Sequence, residues 1–147
     1  MKTTINVLLD EITRKDHKIF ENVTFTGDLD KKLITWFNSY VRELPKDDKG
    51  KYVINCCVEI NNCIFKGNLN FSRFHFRQVI IVQSTTFEGD VNFTDARFEG
   101  GIFFDGNILR GNALFFLAHF KNYAHFMGTK RPSSNPKLSD EEGQIGL

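Results

Sequence analysis

Phenylalanine or an aliphatic residue returns every eleven positions at Phe65, Phe76, Phe87, Phe98, Leu109 and Phe120. A second register of the same step, Ile60, Phe71, Val82, Phe93, Phe104, Phe115 and Phe126, runs between them, so large apolar residues fall alternately five and six apart. A helix places apolar residues every three or four positions and a strand every two. A spacing of five or six fits a chain that turns a corner after each short extended segment and points one large side chain inward per segment. The pattern therefore predicts an all-β solenoid.

Residues two places before the second register, Val58, Leu69, Ile80, Val91, Ile102, Ala113 and Ala124, are all apolar. Those two before the first register, Cys63, Phe74, Thr85, Ala96, Asn107 and Ala118, are small except Phe74. Alternation puts both sets on the inner face. Gly67, Gly89, Gly100 and Gly111 stand two after the first register, with Gln78 and Asn122 in the remaining slots. Glycine and asparagine tolerate positive φ, which places the corner there. With three sides a five-residue face would stack on a six-residue one and lose pairing register. Four sides avoid this, giving a quadrilateral β-helix of about 22 residues per coil with Phe71, Phe93 and Phe115 in one column and Phe76, Phe98 and Phe120 in another. Phe65, Phe87, Phe104 and Phe126 complete the interior ladder, and residues 52–128 make about three and a half coils rising about 4.8 Å each.

The stretch TFEGDVNFTDARF from Thr86 to Phe98 resembles the pentapeptide-repeat family in its phenylalanine-rich form, F-x-G-x-x-x-F alternating with F-x-x-A-x-F. The resemblance spans roughly residues 52–128, and FENVTFTG from Phe20 to Gly27 looks like one isolated copy. It implies a right-handed, four-sided β-helix, usually without catalysis. It also implies the company of dimeric members that imitate duplex DNA and bind type II topoisomerases. The motif residues are interior ones, so they speak to scaffold rather than activity.

The flanking regions divide the chain into residues 1–51, the repeat region 52–128, and 129–147. Ile5, Leu8, Leu9 and Ile12 are spaced for one face of a short helix, with Thr3 or Thr4 as cap, that would cover the open end of the prism. From Asp30 to Leu44, Leu33, Trp36, Phe37, Tyr40, Val41 and Leu44 form another helical stripe, ended by Pro45 and KDDKGK. This reads as a helical or loop insertion that leaves the coil and rejoins it near Tyr52, packed on the coil or offered to a partner. The stretch after Gly128, rich in Pro and Ser, is predicted to be a disordered tail. No apolar run is long enough for a membrane span and MKTTINVLLDEITRK carries acids too early for a secretory signal, so a cytoplasmic home without membrane contact is expected. Cys56, Cys57 and Cys63 lack paired zinc spacing and read as free thiols.

Charge separates the functional readings. Residues 52–128 carry six acids and six bases, which suits neither a DNA binder nor, on average, a DNA mimic. A local excess from Glu88 to Asp105 makes Glu88, Asp90, Glu99 and Asp105 a candidate acidic face, although the 22-residue register would pair Glu88 with Arg110 and Arg73 with Asp95. His75, Arg97 and His119 should form one outward ladder, read as solvated residues rather than a metal site because Arg97 intervenes. His17 and His125 have no partner the sequence can place. No nucleophile motif or phosphate loop occurs, so neither an enzyme, a cofactor nor a metal is expected. Ile81, Phe103, Leu114, Phe116, Leu117 and Tyr123 fall at outward slots, a candidate self-association or partner surface. The chain is thus expected to be a non-catalytic protein-interaction scaffold, a homodimer through its C-terminal coil. The alternative is a DNA-mimic inhibitor or protector of a DNA-handling enzyme such as a type II topoisomerase.

Overall fold

The computed structural model describes residues 1–30 and 44–130. The chain opens with β1 (Lys2–Thr4), α1 (Ile5–Arg14), β2 (His17–Glu21) and β3 (Thr24–Thr26). After residue 44 come β4 (Tyr52–Ile54), β5 (Cys57–Asn61), β6 (Ile64–Phe65), β7 (Leu69–Asn70), β8 (Phe74–Phe76), β9 (Ile80–Gln83) and β10 (Thr86–Phe87). The remaining strands are β11 (Val91–Asn92), β12 (Arg97–Phe98), β13 (Ile102–Asp105), β14 (Ile108–Leu109), β15 (Ala113–Leu114), β16 (His119–Phe120) and β17 (Ala124–His125).

These strands form four parallel sheets, one per side of a tube. Side one is β2, β5, β9, β13 and β17; side two is β1, β3, β6, β10 and β14; side three is β7, β11 and β15; side four is β4, β8, β12 and β16. Pairings such as Val91 with Ala113 and Arg97 with His119 step by 22 residues, as the equal-face argument requires. Within the tube the rings stack. Phe71 lies 5.4 Å from Phe93 and Phe93 4.9 Å from Phe115, while Phe76, Phe98 and Phe120 follow at 5.4 and 5.2 Å. A third column, Phe25, Phe65 and Phe87, is spaced 5.0 and 5.1 Å. Phe74, too large for its slot by the pattern, is fully buried and packs against Phe71 and Tyr52.

The copy at 20–27 is a level of the same tube rather than an isolated unit. Phe20 pairs with Ile60 and Thr24 with Ile64, a step of 40 in place of 22, so this coil holds 18 extra residues. Leu29 still bridges Leu69 and Tyr52 still pairs with Phe74, which confines the extra residues to the corner between sides three and four. The expected helical stripe from Asp30 to Leu44 lies, except for its ends, outside the described residues. Leu44 itself is half-buried against the core.

Helix α1 stands where sides three and four of the first level would be, between β1 on side two and β2 on side one. Ile5, Leu8, Leu9 and Ile12 are its buried face. Thr4 occupies the N-cap position, but its hydroxyl makes no capping hydrogen bond. Beneath the helix a void of about 40 Å³ remains, where Ile60 and Val82 stand in a column otherwise made of Phe20, Phe104 and Phe126.

Two expectations need correction. The corners with positive φ are not the glycines at 67, 89, 100 and 111 but Asn62, Arg73, Ser84, Asp95, Gly106, Leu117 and Gly128, again every eleven residues. The other glycines answer to close stacking: a Cβ on Gly89 would lie 2.7 Å from the carbonyl oxygen of Gly67 one level away. The coil also runs past residue 128. Thr129 is buried and its hydroxyl donates to the Phe104 carbonyl at 2.6 Å, while the Lys130 amide donates to the Asn107 carbonyl at 2.8 Å. Thr129 continues a ladder 22 residues on from Asn107, whose Oδ1 accepts from the Thr85 amide at 2.9 Å. The rest of the expected tail lies outside the described residues.

Candidate functional site

The outward ladder of side four is in the predicted register, with Arg97 paired to His75 on one neighbour and to His119 on the other. Only part of it faces water. His75 is 3% exposed, because residues 44–51 return from the insertion across this side and cover it. Pro45 is fixed by its carbonyl, which accepts from the Val53 amide at 2.8 Å, and Lys46 bridges Tyr52. Asp47 then closes a turn, its Oδ1 accepting from the amides of Lys49 at 2.8 Å and Lys51 at 2.9 Å. Its second oxygen lies 2.9 Å from His75 Nδ1, and His75 Nε2 lies 2.6 Å from Glu99 Oε1. The expectation of a solvated His75 is therefore wrong, since the returning arm of the insertion removes it from water.

This arm is clamped by charge at its other end too. Lys51 Nζ sits 3.2 Å from Asp95, and Arg73 joins the same carboxylate at 2.9 Å while donating to the Lys49 carbonyl at 3.1 Å. The Arg73–Asp95 pair is the one the register predicts. Burial raises the Asp47 carboxyl, but hydrogen bonds from the Lys51 and Lys49 amides and from His75 outweigh it and hold the group below its ordinary range. Glu99 is likewise held low, chiefly by the hydrogen bond from His75. With a carboxylate within hydrogen-bond distance of each ring nitrogen, His75 has no free nitrogen for base catalysis or metal ligation. Among the described residues no group of His, Cys, Asp and Glu is placed to hold a metal ion.

The four residues of the candidate acidic face are not brought together. Glu88 follows β10 on side two and pairs with Lys66 at 3.0 Å, not with Arg110. Asp90 lies at the next corner, in a side-chain ladder. The Asp28 carboxylate accepts from the Asn68 amide at 2.7 Å, Asn68 from Asp90 at 2.8 Å, and Asp90 from Asn112 at 2.8 Å. Glu99 belongs to side four. Asp105 ends β13 on side one, accepting from the Met127 amide at 3.0 Å and facing His125 Nδ1 at 3.2 Å.

The apolar candidates fall into two groups. Ile81 and Phe103 are neighbours in the outward column of side one, with Tyr123 against Phe103 at 5.2 Å and His125 at 5.8 Å. Leu114 ends β15 on side three, and Phe116 and Leu117 turn the next corner. Phe116, Leu117 and Tyr123 are 70%, 67% and 61% exposed. Leu114 to Tyr123 occupy the last level, where Phe115 and Phe120 are only half-buried although their columns are buried above.

A family model of pentapeptide repeats (9 copies) matches residues 60–106. These residues are pentapeptide repeats. No curated protein and no solved structure matches the chain significantly. In the pentapeptide-repeat tube the repeats supply a structural scaffold, and what differs from one side to another is the outward residue, the arm 44–51 and the two ends. Cys56, Cys57 and Cys63 are free thiols, and burial pushes Cys56 up to about 11. No helix among the described residues is long and apolar enough to cross a membrane.

The sequence pattern missed the arm clamp and the Asp28–Asn112 ladder. The 22-residue step from Asn68 to Asp90 to Asn112 could have revealed the second. Nothing in the spacing could have revealed the first.

Proposed function

We propose that the protein is a non-catalytic protein-interaction scaffold that associates with a second copy of itself through the C-terminal end of its tube. The observation that carries this reading is the asymmetry of the two ends. Helix α1 covers the first level with four buried aliphatic side chains. At the other end β15, β16 and β17 have no further strand paired to their outer edges among the described residues. Beside these edges stand exposed Leu114, Phe116, Leu117, Tyr123 and Met127. Unpaired strand edges next to apolar side chains favour association, and a two-fold contact would cover both at once.

The DNA-mimic reading draws no comparable support. It needs a continuous stripe of carboxylates, whereas Glu88, Asp90, Glu99 and Asp105 are spread around the tube and already bonded.

Light scattering across a dilution series tests the proposal. The full chain should scatter as a dimer, and a Phe116→Glu, Tyr123→Glu double variant with an unchanged β-type circular dichroism spectrum should scatter as a monomer. A wild-type chain that is monomeric at every concentration would overturn it.

A further inference from the structure

A cleft of about 360 Å³ opens on side four, lined by Lys49 and Lys51 of the arm and by Arg97 and His119 of the ladder. Every lining side chain is a nitrogen base. Arg97 Nε is buried and has no hydrogen-bond partner among the described residues. A buried guanidinium N–H without an acceptor is costly in a folded protein, and an unfilled one marks a place where an acceptor belongs.

The surrounding charges do not fill it. From the ladder, Asp95 is taken by Lys51 and Arg73. Glu99, two residues from Arg97, gives its oxygens to His75 at 2.6 Å and Lys121 at 3.8 Å. From the arm, Asp47 is bound to His75 and to its own turn, and Asp48 is exposed beside it. Lys49 and Arg97 make no ion pair among the described residues, so two full positive charges and the His119 ring converge on one cleft.

We infer that this cleft is a binding site for a tetrahedral oxyanion of the phosphate class, held by Arg97 and Lys49 with His119 at its rim. A guanidinium presents parallel N–H groups that match two oxygens of such an ion, and a lysine ammonium neutralises the remaining charge. A nucleic-acid backbone is a poorer match. It needs a broad positive field, whereas the formal net charge of the chain is only +1 and the cleft itself is lined by only Lys49, Lys51, Arg97 and His119. Lys49, Lys51 and Arg97 place the site on the flank of the tube under the arm, and only His119 lies on a strand, β16, whose edge the self-association proposed above would use.

The test is titration of the full chain with inorganic phosphate at constant ionic strength, with chloride as the balancing ion, followed through the histidine ring resonances by NMR. The His119 signal should move along a saturable curve, and sulfate should reproduce it. Arg97→Gln should weaken binding by about tenfold or more, as expected for loss of a charge-assisted pair. Lys49→Gln, a change at an exposed side chain that leaves the turn amides in place, should weaken it less. Both variants should melt as the parent does without phosphate. No saturable shift at His119, an equal response to acetate, or unchanged affinity in both variants would overturn the assignment.

Discussion

Phe93 shows how much one ring contributes to this tube. It is stacked between Phe71 and Phe115 and meets Phe98 edge-on at 5.4 Å, so its removal leaves a gap that neighbouring levels cannot close without shifting whole strands. Phe93→Ala should cost about 3–5 kcal/mol, measured by urea or thermal unfolding. Phe93→Asp should not fold, because no group in that column can pair a buried carboxylate. A soluble variant that still melts cooperatively would contradict the assigned interior. The inward residues were legible in the sequence because their period has one geometric solution. The corners were not: positive φ falls on Arg73, Ser84 and Leu117 as readily as on Gly106 and Gly128. The winding of the coil imposes that conformation whatever side chain stands there, so composition does not report it. The glycines were visible, but their cause is the approach of one level to the next, which only a stacked structure reveals.

Among the elements, the arm 44–51 is held largely by charged contacts, from Asp47 to His75 and from Lys51 to Asp95. Asp47 and Glu99 titrate below their ordinary values of 3.8 and 4.5 in the folded protein. A carboxylate whose value is lower in the folded than in the unfolded chain stabilises the fold above its unfolded value, and that contribution fades as the pH falls through the lowered one. The melting temperature should therefore hold level from neutral pH to about pH 5 and fall in more acid solution. Asp47→Asn should flatten part of that slope. At neutral pH His75→Ala should open the arm, seen as faster tryptic cleavage after Lys46, Lys49 and Lys51, with the β-type spectrum of the tube retained. Equal cleavage rates would show that the imidazole does not hold the arm. Sequence reading placed the insertion and its point of return near Tyr52, and it paired Arg73 with Asp95. It left His75 in water, since a repeat pattern describes the tube and is silent about a segment that folds back over it.

At the scale of the whole molecule, the first level of the tube is sealed, and the seal is a single amphipathic helix. Leu9 is among the four aliphatic residues that close it. Leu9→Asp should expose the first level, lower the melting temperature and produce large scattering particles on warming, as strand edges of different molecules meet. A variant that stays dispersed would mean that α1 is not needed as a cover. The four-sided plan and its 22-residue step followed from arithmetic on the sequence alone, because only that plan stacks faces of equal length. The added levels built from residues 2–29 did not, because the detour after Leu29 breaks the count before it resumes at Tyr52.

That detour has a practical side. The chain departs and re-enters at one corner and every strand beyond it keeps its neighbour, so the pairing of the tube does not depend on the length of what is spliced in. A foreign recognition loop grafted between residues 30 and 44 would ride on a fixed frame, beside the arm that already grips the adjoining wall.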